Sequence, residues 1–532
     1  MHETLLLSLS LLLAVTVFVM VGQQLKISSP IFLVLSGLAL SLIPGIPVLT
    51  IDPELIFLLF LPPLLYEAAW YTSWREFWRW RRIIGTLGFG LVIVTALAVA
   101  YASQALIPGF TLALGFLLGG IVSPPDAVAA ASVLRGITVP KRLISVLEGE
   151  SLVNDAASLV VFRFALAAVL SGTFVLHEAA TDFVLVTVLG IGVGLAVAGV
   201  FYVIHRYLPT TTRISILLTF LAPYFMYLAA EEMHGSGVMA VVSGGLFMSN
   251  RSHQILNHSA RIQGTGMWAT VVFALNGLVF ILIGLQMPVV ASGLENYTRL
   301  ELIGYAVLIT LVVMIVRVAV VLSTSLFTRL VSRFVPVADP NPGWRGPLII
   351  GWAGMRGVVS LASALSIPLT LANGQPFPHR NLILFITFVV ILATLVFQGL
   401  TLPFVIQLVR YEDPDNRAPE EQQSALIRMR LLKAALRHVQ QEYATEIAEN
   451  ELVENLKNRL VADVQLTGQR LSSLDCGVEK MEEYNRVITG VTRAKRQVLL
   501  TLRRQASFDD EVIRKEEARI DLDEEKIDHP MH

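Results

Sequence analysis

The sequence predicts an all-α polytopic membrane protein with about thirteen transmembrane helices and a helical C-terminal tail. Of the 532 residues, 54% are apolar and only 15% are charged, and the mean hydropathy of +0.66 is far above that of an ordinary globular chain. Apolar runs of about 20 residues, the length that a bilayer-spanning helix needs, recur as far as Val409. Lys and Arg collect in alternate connections between these runs.

The thirteen candidate spans follow one another closely. The first six are Leu5–Val21, Pro30–Leu49, Leu55–Trp70, Ile83–Leu106, Thr111–Leu134 and Leu143–Leu170. The other seven are Phe183–Ile204, Ile214–Ala230, Val238–Met248, Trp268–Val290, Leu302–Phe327, Leu348–Leu371 and Leu382–Val409. The first run lacks the basic start and the small-residue cleavage site of a signal peptide, so we expect it to be a retained span.

The loop charges predict the orientation of the chain. Fifteen Lys and Arg residues lie in one set of alternate connections, whereas the opposite set holds only Arg299 and Arg380. Because cytoplasmic loops carry the excess of basic residues, we expect a multi-pass protein of the plasma membrane with its N-terminus outside and its C-terminus in the cytoplasm. Residues 1–410 would form the transmembrane domain and 411–532 a cytoplasmic helical tail. The tail is either a regulatory or dimer-contacting segment or a solvated appendage.

Thirteen spans divide into six, one linker and six, which predicts two six-helix repeats of inverted topology, a transporter signature. The fifth and twelfth spans then correspond, and both carry helix breakers. The fifth contains the segment Ser123–Asp126, with two prolines, and the twelfth contains Gly351, Gly354 and Gly357. Proline removes a backbone donor and glycine loosens a helix, so both spans are predicted to be discontinuous where they line a cavity. Kinks without function are the alternative.

Polar residues of the sixth span form one face with two halves. Glu150 and Asn154 are spaced i, i+4, and Ser151 and Asp155 stack beside them at the same interval. A carboxylate among hydroxyl and carbonyl oxygens suits a hard cation, whereas Glu150 could receive an arginine. A purely structural polar seam between helices is the alternative. Arg163, two turns further along, is interpreted as structural, either snorkelling or paired with a lipid headgroup.

Ionisable residues within a span are costly and are functional candidates, and here they occur in recognisable motifs. The motifs are LPPLLYE at Leu61–Glu67, SPPDAVA at Ser123–Ala129, GESLVND at Gly149–Asp155 and GMRG at Gly354–Gly357. Together and in this order they resemble the monovalent cation:proton antiporter family, in the sodium/proton exchanger branch. The resemblance covers about residues 5 to 410.

The resemblance implies an ion site on the fifth and sixth spans. In that family pattern Asp155 is the essential carboxylate that carries either the cation or the proton, with Asp126 beside it, so that Na⁺ binds at these two residues. Ser151 and the backbone near Pro125 would add oxygen ligands, and Glu67 would complete the site. No other cofactor is implied, and the family pattern includes a homodimer.

The resemblance also implies a structural frame around the site. Glu150 would pair with Arg317 on the eleventh span. Arg356, within the break of the twelfth span between Gly354 and Gly357, would offset the helix ends that face each other there.

Two positions bear on mechanism and selectivity. Asn154 immediately before Asp155 resembles the electroneutral branch of the family. Many relatives carry Thr or Ser where this chain has Pro125, which removes one hydroxyl ligand and leaves K⁺ or Li⁺ open as the transported ion.

Functions of other classes stay open as alternatives. A non-transporting ion or pH sensor would keep the same site. An intramembrane hydrolase is disfavoured because no His-Glu-x-x-His pair occurs, and a primary pump because no phosphate-binding Gly-x-x-x-x-Gly-Lys motif occurs. The net charge of -1 gives no indication of a nucleic-acid partner. The sequence therefore predicts a secondary transporter rather than an enzyme.

Overall fold

The architecture is that of a computed structural model. It describes residues 2–43, 53–134, 137, 139–172, 176–286, 290, 294, 297–334, 339, 342–371, 374–411, 420–474, 479–504 and 510–528. The end of the second predicted span, residues 44–49, and the start of the predicted tail, residues 412–419, lie outside the described residues. The chain divides into two compact units, residues 1–412 and 413–532.

The first unit is a bundle of sixteen helices in the described ranges. Helices α1 to α8 are His2–Gln24, Ser29–Ser41, Pro53–Tyr71, Trp74–Leu106, Leu112–Val122, Ala127–Leu134, Lys141–Ser171 and Leu176–Tyr207. Helices α9 to α16 are Thr212–Glu232, Gly237–Asn250, Ser252–Ile255, His258–Leu285, Arg299–Val331, Arg345–Trp352, Val358–Leu365 and Arg380–Val409. Helices α4 and α16 each include one π-helical stretch, Thr86–Leu91 and Thr394–Gln398.

Most of these helices have the length and composition of membrane spans. In the described part of the chain, nine segments can cross a bilayer by these criteria: α1, α4, α5 with α6, α7, α8, α9, α12, α13 and α16. The second, third and ninth predicted spans coincide with α2, α3 and α10, and the twelfth with α14 and α15. The helical multi-pass architecture is confirmed, while the exact count of thirteen and the inverted repeat stay predictions.

Two spans begin earlier than their apolar runs indicate. Helix α4 begins at Trp74 and α12 at His258, whereas hydropathy places the starts at Ile83 and Trp268. Side-chain caps set both ends: the Ser73 hydroxyl accepts a hydrogen bond from the backbone N–H of Glu76 (3.5 Å), and the Asn257 side chain accepts one from that of Ala260 (2.7 Å). The first backbone N–H groups of a helix have no acceptor within it, and such caps supply one. The charged first turns of α4 and α12 are therefore helical although they are not apolar.

Close backbone contact holds the bundle together at glycine positions. Helices α2 and α12 approach so closely that a side chain on Gly37 would meet the carbonyl oxygen of Ile281, and one on Gly284 would meet the backbone of α2. Small residues permit this packing between membrane helices, where dispersion replaces the hydrophobic effect as the driving force.

The second unit consists of amphipathic helices. They are α17 (Glu420–Glu442), α18 (Ala444–Glu449), α19 (Glu451–Leu474), α20 (Glu479–Arg504) and α21 (Asp510–Asp528). Helix α17 packs on α19, and α20 packs on α21. The second pair is tied by the Arg496 guanidinium, which bonds the carboxylates of Asp521 and Glu524; these bonds hold the pKa of Arg496 above its ordinary value.

Candidate ion-binding site

Two interrupted helices meet in the interior of the first unit. The fifth predicted span is broken between α5 and α6, and the twelfth between α14 and α15, at the proline and glycine positions described above. The breaks touch directly, because the backbone N–H of Asp126 donates to the carbonyl oxygen of Met355 over 2.7 Å. Four helix ends therefore converge on one place.

Asp126 lies where two of these ends present their N–H groups. Its Oδ1 atom accepts hydrogen bonds from the backbone N–H of Val128 (2.8 Å) and of Ala129 (3.2 Å), in the first turn of α6. The carboxylate also accepts one from Val358, the first residue of α15. Carboxylates are accommodated at helix N-termini by such donors and by the helix dipole, so these bonds fix the orientation of the Asp126 side chain.

Gly357 makes room for that carboxylate. A Cβ atom at this position would coincide with the Asp126 side chain. The glycine in the GMRG motif is therefore required for close approach of the two broken helices, and not only for loosening the twelfth span.

Arg356 occupies the opposite pole of the crossing, where two helices present their carbonyl groups. Its side chain is fully buried. The Nε atom donates to the carbonyl oxygen of Val122, the last residue of α5 (3.0 Å), and the guanidinium also bonds the carbonyl of Gly354, just beyond α14. A cation thus faces the negative helix ends and an anion the positive ones. No sequence pattern points to Val122 or to Thr394, whose hydroxyl accepts from the backbone N–H of Arg356.

Helix α7 places the second carboxylate against the break of the fifth span. The Ser151 hydroxyl accepts a hydrogen bond from the backbone N–H of Ala127 (3.3 Å) and donates to the carbonyl oxygen of Pro125 (3.5 Å). Asp155 follows one turn later on the same face, 9% exposed, and lies within electrostatic range of Asp126. Within the described ranges its carboxylate receives no hydrogen bond, in contrast to that of Asp126.

Two other predicted site residues differ from this pair. Asn154 is fully buried, and neither polar atom of its amide finds a hydrogen-bond partner among the residues that the structure describes. Glu67 of α3 is half-buried, and the charge that acts on it is that of Glu148. Glu148 precedes Asp155 by two turns of α7, so Glu67 is within electrostatic range of an earlier turn of that helix.

A buried ion pair adjoins the site. Glu150 and Arg317 are at most 1% exposed, and the guanidinium donates to both carboxylate oxygens, over 2.6 and 3.2 Å. It also donates to the carbonyl oxygen of Ile350 at 3.2 Å. The pair joins α7 to α13, and the third bond joins α13 to α14.

Arg163 has a protein partner. Its guanidinium bonds both carboxylate oxygens of Glu231 at 2.8 Å, and Glu231 also accepts from the backbone N–H of Gly237 (3.2 Å). This ion pair agrees with the structural interpretation of Arg163, but the partner is Glu231 of α9 and not a lipid headgroup. The partner lies 68 residues away, a distance that helical spacing does not reveal.

The arrangement supplies oxygen ligands for a small cation. They come from two carboxylates, a hydroxyl and a backbone carbonyl around the break of the fifth span. In the ranges described, no cluster of three or more His, Cys, Asp or Glu side chains is found. One carboxylate is fixed by three backbone donors and the other is not, so the second is the group to which a cation or a proton can bind without displacing a hydrogen bond.

Comparison with known proteins decides the family. Residues 9–408 match the family described as "Sodium/hydrogen exchanger, transmembrane". The chain belongs to this family. The exchanger motifs recognised in the sequence all lie within the matched range.

Individual relatives agree with the family assignment. An uncharacterised Na⁺/H⁺ exchanger of Mycobacterium tuberculosis is 34% identical over 535 residues, covering 98% of this chain and 96% of that protein. The sodium, potassium, lithium and rubidium/H⁺ antiporter of Bacillus subtilis is 37% identical over 372 residues, covering 67% of this chain and 54% of that protein. Among solved structures, the sodium proton antiporter MjNhaP1 from Methanocaldococcus jannaschii aligns with a TM-score of 0.60 at 18% identity, covering 77% of this chain and all of that one. This likeness shows the shared fold.

Proposed function

We propose that the chain is a secondary active antiporter that exchanges Na⁺ for H⁺ across the plasma membrane. The observation that carries the proposal is that the two aspartates differ in the hydrogen bonds that they accept. The Asp126 carboxylate accepts hydrogen bonds from the N–H groups of two helix ends, while Asp155 receives no hydrogen bond from the described part of the protein. Asp155 is then the carrier and Asp126 the fixed countercharge.

The exchange is electroneutral in this proposal. With Asp126 ionised throughout, the site carries the same net charge whether Asp155 holds a proton or both carboxylates hold one Na⁺. One cation therefore replaces one proton, and both loaded forms cross by alternating access between the two sides. The empty site, with two uncompensated carboxylates, is costly to move through the membrane interior.

Ser151 and the Pro125 carbonyl supply neutral oxygens to the cation in this proposal, and Asn154 and Glu67 complete the ion- and proton-binding site. The proposal keeps the orientation from the loop charges, with the N-terminus outside and residues 411–532 in the cytoplasm, and it keeps the homodimer implied by the resemblance.

Reconstituted vesicles test the proposal. Purified protein should show Na⁺-dependent proton flux that Asp155→Asn abolishes, whereas Asp182→Asn, the same chemical change at an exposed acid of α8, should leave the flux unchanged. For one competing proton, the Na⁺ concentration at half-maximal rate should rise about tenfold for each pH unit in the acidic range. A half-maximal concentration that ignores pH, or a rate driven strongly by an imposed membrane potential, would contradict the single-site electroneutral mechanism. Absence of any flux would favour a sensor.

K⁺ is a second candidate substrate. The Bacillus subtilis relative is named for sodium, potassium, lithium and rubidium, and Pro125 cannot supply a side-chain hydroxyl. Proton flux compared for Na⁺, K⁺ and Li⁺ in the same vesicles decides between them. Pro125→Thr should shift the preference towards Na⁺ if the missing hydroxyl sets it.

A further inference from the structure

A cavity of about 670 Å³ lies between α4 and α13, away from the ion site. Its lining combines three arginines and three threonines with apolar side chains and the aromatic ring of Trp80. The arginines are Arg79, Arg81 and Arg82, from the first turns of α4. A cavity of this size is in the range of ligand pockets, but a lining both cationic and apolar is unsuited to a small ion.

The lining differs between the two helices. Arg79 to Arg82 lie near the beginning of α4, and Thr86 lies one turn further into the span. On α13, Thr328 and Val331 lie at the helix end, with Phe327 and Thr324 preceding them. The cationic part therefore lies on α4 and most of the apolar and hydroxyl part on α13, which matches a molecule with an anionic head and an apolar body.

Tryptophans place this end of α4 at headgroup level. Trp74 and Trp78 are 42% and 54% exposed and stack on each other, and exposed tryptophans collect where membrane meets water. The guanidinium of Arg81 lies 4.7 Å from the centre of the Trp78 ring and donates to its carbonyl oxygen. Stacked in this way, the cation keeps a fixed position at the mouth of the cavity.

The cavity keeps a positive balance. Its acidic lining residue is Asp339, whose carboxylate is bonded by the guanidinium of Arg142 at 2.6 Å, and Arg79 lies 3.9 Å from the carboxylate of Glu76. Four arginines thus face two acids in and beside the cavity. The electrostatic complement of the cavity is therefore an anion.

We propose that this cavity binds an anionic phospholipid from the leaflet at the arginine-bearing end of the bundle. The phosphate would bond the guanidinium groups, which recognise it through planar paired donors, and the first acyl carbons would contact Ile83 and Phe327. Basic pockets between membrane helices are suited to lipid headgroups for this reason. The proposal is independent of the transported ion and of the orientation of the chain.

Lipid binding to the purified full chain tests the proposal, with phosphatidylglycerol and phosphatidylcholine as probes and native mass spectrometry as the readout. A basic residue near a membrane surface contributes about fivefold to binding an anionic lipid, so Arg81→Gln with Arg82→Gln should lower phosphatidylglycerol affinity about 25-fold and leave phosphatidylcholine unaffected. The matched control is Arg329→Gln with Arg333→Gln, which removes two exposed cations from the end of α13 that do not line the cavity; it should change the affinity less than twofold.

A second variant keeps the charges and reduces the space. Thr328→Trp should weaken phosphatidylglycerol binding as well, and it tests the proposal if the double arginine variant does not fold. Equal retention of the two lipids by the unchanged chain would overturn the proposal, as would an equal loss in the control variant. Displacement of the lipid by millimolar inorganic phosphate would assign the site to free phosphate instead.

Discussion

Removing either member of the Glu150 and Arg317 pair should destabilise the protein, and by unequal amounts. Both side chains are buried, and the Arg317 guanidinium makes three hydrogen bonds. Breaking a buried pair costs about 3 to 5 kcal/mol, because it leaves an uncompensated charge. Arg356 lies within electrostatic range of both residues, so two buried guanidinium groups share one carboxylate.

The charge of Arg356 determines which of the two single substitutions is the more destabilising. After Arg317→Met, Glu150 keeps a nearby cation, so we expect a loss near the lower figure, about 3 kcal/mol. After Glu150→Gln, two like charges are left without their anion, so we expect a loss near or above about 5 kcal/mol. The double variant removes both partners and should be less destabilised than the sum, with a coupling energy of about 2 to 3 kcal/mol.

Thermal or denaturant unfolding in one detergent measures this double-mutant cycle, which comprises the unchanged protein, the two single variants and the double variant. The Arg163 and Glu231 pair, with side chains 48% and 28% exposed, is the matched control, because a solvent-screened pair contributes about 0 to 1 kcal/mol. Simple additivity of the buried substitutions, or a larger loss for Arg317→Met than for Glu150→Gln, would refute the reasoning.

Three further predictions concern the crossing and one connection. Both Asp126→Asn and Asp155→Asn should abolish exchange in vesicles, but only Asp126→Asn should lower the Tm. Only the Asp126 carboxylate accepts hydrogen bonds from helix ends, and hydrogen bonds to a charged group contribute about 1.5 to 3 kcal/mol. Equal changes of Tm in the two variants would contradict this assignment. Gly357→Ala should displace the Asp126 carboxylate and cost about 1 to 3 kcal/mol together with transport, whereas Gly266→Ala, where no atom lies within 4 Å of the added carbon, should be neutral in both assays. Burial holds the pKa of His379, in the connection ahead of α16, below its ordinary value of 6.5. The stability that the neutral ring contributes is therefore present above pH 6.5 and is lost as the pH falls through the lowered pKa. His379→Asn should flatten the acid side of a plot of Tm against pH, and an unchanged plot would exclude this contribution.

The positions of the two helix breaks could be predicted from the sequence because proline and glycine act locally. The Pro124 and Pro125 pair and the glycines around Arg356 weaken the helix in which they stand, although a second pair, Pro62 and Pro63, lies inside the continuous helix α3. The polar face of α7 could be predicted for a related reason, since residues four apart lie on one side of any helix.

Contacts between distant segments could not be predicted in this way. The bond from Arg356 to the carbonyl of Val122 spans 234 positions, and a backbone carbonyl leaves no trace in the sequence. Glu231, which carries no motif, lies 68 positions from its partner Arg163. Helix α4 begins earlier than its hydropathy predicts, because arginines and tryptophans at a membrane surface lower the hydropathy of residues that are nevertheless helical.

The backbone contacts between the two broken helices have a mechanical consequence. Asp126 is bonded to Met355, Ser151 to Pro125 and Ala127, and Arg356 to Val122. The two broken spans are therefore bonded to each other at their interruptions, and the continuous helix α7 is bonded to the break of the fifth span. A hinge within this crossing would have to break several buried hydrogen bonds at once, and each buried donor or acceptor left without a partner costs free energy. Movement around the crossing breaks fewer of these bonds than bending within it, so we expect the crossing to behave as one rigid unit.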